Sequence, residues 1–565
     1  MRKIFPIVII IAALFFLSFS SNEQVKDVAS KGLEKSKVER IDKVFSQFNN
    51  STPGVAVGIV KEGEFIYKKG FGLANLEYNI PITPSSVFHI ASISKQFTAM
   101  CIVLLAQQGK LSLEDDIRKY LPEVHDFGET ITIRHLANHT SGLRDQWDLL
   151  ELAGWRYDCG DLKTQEDVLD LVSRQKELNF KPGEMYFYSN TGFTLMAEIV
   201  KRVSGKSLRE FADENIFKPL GMNNTHFHNS MKEIVKNRAY AYAPLEDGGF
   251  RISIPNYETY GATSLHTTIE DFALWANNFE HKKVGGEYAY NELLRKGVLN
   301  NGEEIDYALG ISHGNYKGLK TIGHSGGDAG YRSQFTMFPE YGISIIIFAN
   351  GSFNTGDLAN QVADILLEEH IKKEEDEKGV EKQAIALTNE ELMEKKGDFK
   401  DKKFGRYISI WFDEKESKLK MDLWGYELSL VPVDKSTFKS EDEEIIIKFI
   451  EDEKGKSLKL EIPSANLDLV CMPVTFVKPT LSQLKVYSGA YYSEELDVTC
   501  NIEVKDDALM VKRRKFPDDK LTAKEKDVFL TEDGARINFT RDKQDKTNGL
   551  TVTTGRVWNL RFDKK

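Results

Sequence analysis

Ser92-Ile93-Ser94-Lys95 sets a hydroxyl and an amine three residues apart. On a helix this spacing stacks Ser92 Oγ and Lys95 Nζ on one face, within hydrogen-bond reach. A serine with an amine beside it can attack a carbonyl carbon, because the amine can take the hydroxyl proton. The pattern alone is weak: Ser173/Lys176, Ser417/Lys420, Ser436/Lys439 and Ser482/Lys485 share it, but lie in polar helices or β segments. Ser92 differs in its downstream neighbours. Phe97, Met100, Ile102, Val103 and Leu104 make the next turns apolar, which predicts a buried helix. Burial would lower the Lys95 pKa and free the amine to take or relay a proton. The helix N-terminus would favour the oxyanion formed when Ser92 attacks.

Two further motifs stand out. Tyr188-Ser189-Asn190 is the only Y-x-N among 21 tyrosines, and His324-Ser325-Gly326 the only H-x-G among 11 histidines. Gly323 to Gly327 also satisfies G-x-S-x-G, the nucleophile elbow of α/β-hydrolases. That elbow needs strand, turn and helix with a histidine downstream. Here Arg332–Phe338 reads as a strand, and the sole later histidine is His370, in a charged helix. His135, His139, His226 and His228 match no metal spacing and no H-E-x-x-H occurs, so no metal and no cofactor is expected.

The elements that must position these residues read as an α+β domain over 40–370. Val55–Val60 and Phe65–Phe71 form a hairpin around Lys61-Glu62-Gly63. A helix is predicted from Ser92 to Gln108, with others at 166–176, 192–203 and 268–279, and strands at 333–338 and 343–349. Strands at both ends with helices between predict one sheet that brings the domain's ends together. Residues 21–39 read as a polar leader. Residues 356–379 read as an amphipathic helix running into charge, and 371–403 as a charged linker. From 404 to 565 short alternating strands predict all-β, barrel-like structure, either one domain or two modules at 404–475 and 484–565. Gly405-Arg406-Tyr407 and Gly489-Ala490-Tyr491 would open the two copies.

The 565-residue chain carries 75 Lys+Arg against 86 Asp+Glu, a net charge of −11 that argues against a nucleic-acid partner. Arg2 and Lys3 precede an apolar run from Ile4 to Phe19, with small residues Ser18 and Ser20. This predicts a secretory signal over residues 1–20 and an exported protein, periplasmic or extracellular. The rival reading is an uncleaved membrane anchor, the one route to membrane association. Cys471 and Cys500 lie in strand-like runs and could pair, while Cys101 reads as a buried thiol.

Taken in order, S-x-x-K, Y-x-N and H-x-G resemble the penicillin-recognising serine hydrolases, the branch holding class C β-lactamases, D-alanyl-D-alanine carboxypeptidases, D-aminopeptidases and related esterases. The resemblance extends through Phe88–Lys95, His139–Leu143, Gly261–Asp271 and Gly323–Ser333. It implies a β-lactamase/DD-peptidase-like fold and a set of roles. Ser92 is the nucleophile and carries the acyl group. Lys95 and Tyr188 share the proton work, Tyr188 in or near its phenolate form. Asn190 bonds Lys95 and the substrate amide. His324 flanks the cleft where true β-lactamases have the lysine of K-T-G, and Gly326 lets substrate backbone lie against that strand. The N–H groups of Gly327 and Ser92 form the oxyanion hole. No K-T-G or K-S-G occurs in the chain. The expected function is hydrolysis of amide bonds in small peptides, D-residue or cell-wall peptides included, of carboxypeptidase or aminopeptidase type. An esterase or β-lactamase of the same family is the alternative, and a non-catalytic binding protein on the same fold the reading of another class.

Overall fold

The computed structural model describes residues 32–156, 160–371, 385–424, 426–441, 445–452, 455–462 and 467–565. The predicted signal, Cys159, residues 372–384 of the linker and the start of the predicted leader lie outside these residues. The rest of the leader runs into a helix, Lys35–Val44 (α1), that buries Ile41.

A six-stranded antiparallel sheet organises the first domain. In chain order its strands are β1 (Val55–Lys61), β2 (Glu64–Phe71), β3 (Ser312–Tyr316), β4 (Leu319–Asp328), β5 (Tyr331–Phe338) and β6 (Ile343–Ala349). Their spatial order is β3-β4-β5-β6-β1-β2, so the two ends of the domain meet where Val55 pairs with Ala349 and Lys61 with Ile343. Every residue of β6 is buried, because helices cover both its faces. On one face lie α1 and α5 (Thr355–Leu366), packed on Val57, Ile59, Ile345 and Ile347. On the other lies the main core, containing α2 (Ser94–Gln107), α3 (Asn190–Ser204) and α4 (Ile269–His281). Helix α2 is buried from Ser94 through Leu105. Two of its polar side chains find partners inside the core: Gln96 Oε1 accepts from Trp275 Nε1 at 2.9 Å and Thr98 Oγ1 donates to the Gly261 carbonyl at 2.8 Å.

The C-terminal half is two closed barrels of eight antiparallel strands each, spanning Gly397 to Val474 and Gly489 to Lys564. The first barrel begins inside the stretch read as linker, since Gly397–Asp401 pairs with both Tyr407–Asp413 and Leu467–Val474. This moves the register of the duplication by one strand. The equivalent openings are Thr388-x-x-Glu391-Leu392 with Gly397 and Phe399, and Thr480-x-x-Gln483-Leu484 with Gly489 and Tyr491. Each starts with a capping box on a short helix, Asn389–Met393 in one and Leu481–Lys485 in the other. Cys101, Cys471 and Cys500 are buried free thiols, and Cys471 and Cys500 sit in different barrels, so they do not pair. No helix among the described residues is long and apolar enough to cross a membrane.

The first barrel has its own core of Ile408, Leu419, Met421, Phe438, Leu458 and Leu460. The second does not: Leu496, Leu509, Leu550 and Leu560 belong to the same buried cluster as the helices of the first domain. The second barrel is therefore docked on the domain that carries the three motifs.

Candidate active site

The chain reaches Ser92 through a two-residue strand, Phe88–His89, whose partner is Leu265–Thr267. Ala91 then turns with φ 49°, an uncommon angle for a residue with a side chain. A 3-10 turn over Ala91–Ile93 feeds directly into α2, so Ser92 sits just ahead of the helix N-terminus. Ser94 locks this turn: its Oγ donates to the Ala91 carbonyl at 2.5 Å and accepts from the Leu265 N–H at 3.0 Å.

Lys95 is fully buried, one turn along. Its Nζ donates to Ser92 Oγ at 3.1 Å, to Asn190 Oδ1 at 2.9 Å and to the Ala262 carbonyl at 2.8 Å. It lies over the Tyr188 ring, 4.8 Å from the centroid. Burial lowers the Lys95 pKa well below the ordinary value, against an opposing pull from Asp145. Tyr188 moves the other way: burial raises its pKa, only partly offset by a hydrogen bond with Ser92. Both shifts favour a neutral amine beside a neutral phenol. They run against the phenolate expected at Tyr188, because an enclosed site disfavours the charged pair.

Asn190 heads α3 and is fixed by a buried carboxylate. Asp145 Oδ2 accepts from the Asn190 N–H at 2.6 Å and from Nδ2 at 3.0 Å, which turns Oδ1 of Asn190 toward Lys95. Asp145 is in turn paired with Arg556 of the second barrel at 3.2 Å. A line of contacts thus runs from a turn of the C-terminal barrel through Asp145 and Asn190 to the amine beside Ser92.

His324 and Gly326 lie on β4, where burial alternates: His324 and Gly326 point in, Ser325 and Gly327 out. A Cβ on Gly326 would lie 2.4 Å from the Ile90 carbonyl oxygen and 2.3 Å from Ser333 Oγ. The glycine is required by the close approach of β4 to the Ser92 turn. One edge of β4 pairs with β5 through Asp328, while its pairing with β3 ends at Gly323. From His324 onward the second edge of β4 has no strand partner among the described residues. His324 Nδ1 donates to the Ser325 carbonyl at 2.5 Å, which leaves Nε2 to accept from the Tyr307 hydroxyl at 2.9 Å. Burial, with the nearby Lys95, holds its pKa down at about 4, so the imidazole is neutral at neutral pH. The β4 strand therefore presents no cation at the position where K-T-G has one. The G-x-S-x-G match lies wholly within this strand, so the elbow reading is excluded.

The structure thus brings Ser92, Lys95, Tyr188 and Asn190 together and lays the β4 segment with His324, Gly326 and Gly327 beside their turn. Sequence reasoning missed Tyr307, Asp145 and Arg556. Asp145 had a signal, an acidic residue two positions after the His139–Leu143 turn at the head of a helix over Gln146–Leu152. Tyr307 and Arg556 belong to no motif. A cleft of about 720 Å³ opens at Asp328, lined by Lys163, Arg251 and Tyr257 and by Lys515, Phe516 and Pro517 of the second barrel.

Comparison with known proteins identifies the family of the domain that carries these residues. The Beta-lactamase family model matches residues 41–368. Penicillin-binding protein 4* of Bacillus subtilis (strain 168) is 32% identical over 316 residues, 52% of this chain and 67% of the relative. A D-aminopeptidase of Gluconobacter oxydans (strain 621H) is 28% identical over 300 residues, 53% of this chain and little more than half, 56%, of the relative's own length. Among solved structures, the octameric penicillin-binding protein homologue from Pyrococcus abyssi shares the fold, with a TM-score of 0.54 and 23% identity over 77% of this chain and 99% of that one. The matched region holds all three motifs, and the chain belongs to the Beta-lactamase family.

Proposed function

We propose that this chain is an exported serine hydrolase that cleaves amide bonds of small peptides through an acyl-enzyme on Ser92, with D-residue peptides, cell-wall fragments included, as its substrate class. The observation that carries the reading is the amine of Lys95, buried and 3.1 Å from Ser92 Oγ. In its neutral form it takes the Ser92 proton as the oxygen attacks the amide carbon. The N–H groups of Ser92 and Gly327 receive the oxyanion. The Tyr188 phenol, hydrogen-bonded to Ser92, donates to the leaving nitrogen and is reprotonated from Lys95. Water then cleaves the Ser92 ester by the reverse path.

The neutral His324 favours an aminopeptidase or amidase mode over a carboxypeptidase or β-lactamase. A free C-terminal carboxylate, or that of a penicillin, gains most from a charged donor, and His324 does not supply one. The D-aminopeptidase and penicillin-binding protein relatives support the choice of amide substrates. An ester is a second reading, since the same uncharged cleft accepts it without change. Export rests on the signal-like residues 1–20, with retention as an anchor the alternative.

The test is turnover of D-aminoacyl amides, D-Ala-D-Ala peptides, p-nitrophenyl esters and a penicillin by the parent and by Ser92→Ala. The expected outcome is D-aminoacyl amide hydrolysis that disappears in Ser92→Ala with the fold retained. Hydrolysis undiminished by that substitution contradicts the mechanism. Failure of a fluorophosphonate to label Ser92 points to the binding-protein reading.

A further inference from the structure

Behind the Ser92 turn lies a cluster of histidines that the hydrolytic site does not use. Strand Phe88–His89, strand Leu265–Thr267 and strand His226–Phe227 form a small three-stranded sheet in which His266 is directly opposite both His89 and His226. Opposed residues share a face, and His228, two positions beyond His226, returns to that side. The His266 ring is stacked on that of His226 with centroids 5.7 Å apart, and lies 4.7 Å from that of His228. His89, His228 and His266 are buried, with exposures of 2%, 4% and 3%. Five buried ring nitrogens have no hydrogen-bond partner among the described residues: Nδ1 of His89, Nε2 of His226, both nitrogens of His228 and Nε2 of His266.

A buried nitrogen without a partner destabilises the fold, and several of them converging on one place share a ligand where one exists. Imidazole nitrogens with free lone pairs call for a cation of borderline softness. The acid facing them is Glu233, whose Oε2 is 3.5 Å from His228 Nδ1. His226, His228 and Glu233 each offer one ligand atom, and these atoms all lie within 4.8 Å of one another. Ligands on a tetrahedral zinc are about 3.3 Å apart, given bonds of about 2.0–2.1 Å, so small side-chain rotations close the set. Arg209 holds both Glu233 oxygens, at 2.6 and 2.7 Å, and would act as the outer partner that orients a ligating carboxylate. Glu233 and Arg238 line a cleft of about 670 Å³, which gives an ion a path from solvent.

We propose that His226, His228 and Glu233 form a site for a divalent first-row transition metal, zinc in the first instance, with His266 as the adjacent third imidazole. Sequence spacing carried no hint of it, because Glu233 arrives through a turn and His266 through strand pairing. The charges around the site are Glu233, Arg209 and Arg238, so the protein does not neutralise a dication fully. Exchange with free metal is therefore expected. Bound there, the ion would tie the 226–233 segment to the sheet that delivers the chain to Ser92. The proposal stands independently of the hydrolase reading.

The test uses the full chain, stripped with a chelator and dialysed against micromolar zinc. One zinc per chain is expected, with binding weakened about tenfold or more in His226→Ala and in Glu233→Gln and unchanged in Ser92→Ala. No stoichiometric zinc in the parent, or undiminished binding in both ligand variants, overturns the proposal. Cobalt(II) added to the unmodified chain gives a reading that does not depend on how the variants fold. Ligand-field bands of a tetrahedral nitrogen and oxygen site support it, and the spectrum of free hydrated cobalt refutes it.

Discussion

At Lys95 two effects compete: Asp145 pulls its pKa up, while desolvation pushes it down and dominates. On the proposed mechanism the base is the deprotonated amine, so kcat/KM is expected to rise with pH as Lys95 loses its proton. Because His324 sits at about 4, no rate change between pH 5 and 8 should belong to it. A pH profile of the parent and of His324→Gln checks both points: the acid limb is expected to be the same in the two proteins. A limb near the ordinary histidine value of about 6.5 that vanishes in His324→Gln would assign the base to the histidine instead. His324→Lys installs the missing cation at the position that now lies 2.9 Å from the Tyr307 hydroxyl. A charge-assisted hydrogen bond is worth about 1.5–3 kcal/mol, so acylation by a penicillin should rise about tenfold or more. No gain would mean that the shape of the cleft, not its charge, excludes β-lactams.

At the scale of elements, the site is the crossing of a turn, two helices and a strand, and each crossing is tight. Gly192 of α3 would place a Cβ 2.8 Å from the Leu136 carbonyl oxygen, and Gly326 of β4 would place one 2.4 Å from that of Ile90. Gly326→Ala must push β4 away from the Ser92 turn. A shift of about 1 Å in catalytic geometry commonly costs about 10²-fold, and that loss should appear in kcat with the fold intact. Wild-type kcat in Gly326→Ala would mean that the strand does not set the geometry. These elements were largely legible in the sequence, because helix α2, the hairpin and the three motifs each arise from local pattern. What local pattern could not supply was distance between elements. Tyr307 meets His324 from the segment ahead of β3, and Asp145 meets Asn190 from the head of another helix, and neither contact leaves a periodic trace. The barrel register was misread for a local reason as well: Gly405-Arg406-Tyr407 mimics the opening of the second barrel one strand late.

Across the whole molecule, the second barrel is part of the active-site architecture and the first is not continuous with its core. Arg144, at 2% exposure, donates to Glu495 of the second barrel at 2.7 Å and to the Trp558 carbonyl at 3.0 Å. Trp558 packs on Phe187 with ring centroids 4.8 Å apart, next to Tyr188 in sequence. Breaking a buried ion pair by removing one partner costs about 3–5 kcal/mol. Arg144→Ala should therefore lower the melting temperature of the chain by several degrees, and should lower kcat by releasing the Arg556–Asp145 contact. An unchanged melting curve would contradict the reading that the two bodies share one core. This docking was illegible in the sequence, since Glu495, Arg556 and Trp558 sit in β turns and strands with no marker of a partner some 350 to 410 residues away.

On the proposed mechanism Ser92 attacks with Lys95 as its base and carries the acyl group. Intact-mass spectrometry after rapid mixing with a D-aminoacyl ester tests it most directly, using the parent, Lys95→Ala and Ser92→Ala. A mass increase of one acyl group is expected on the parent, mapped to Ser92, and none on either variant. An adduct on another residue, or an equal adduct on Ser92→Ala, would contradict it.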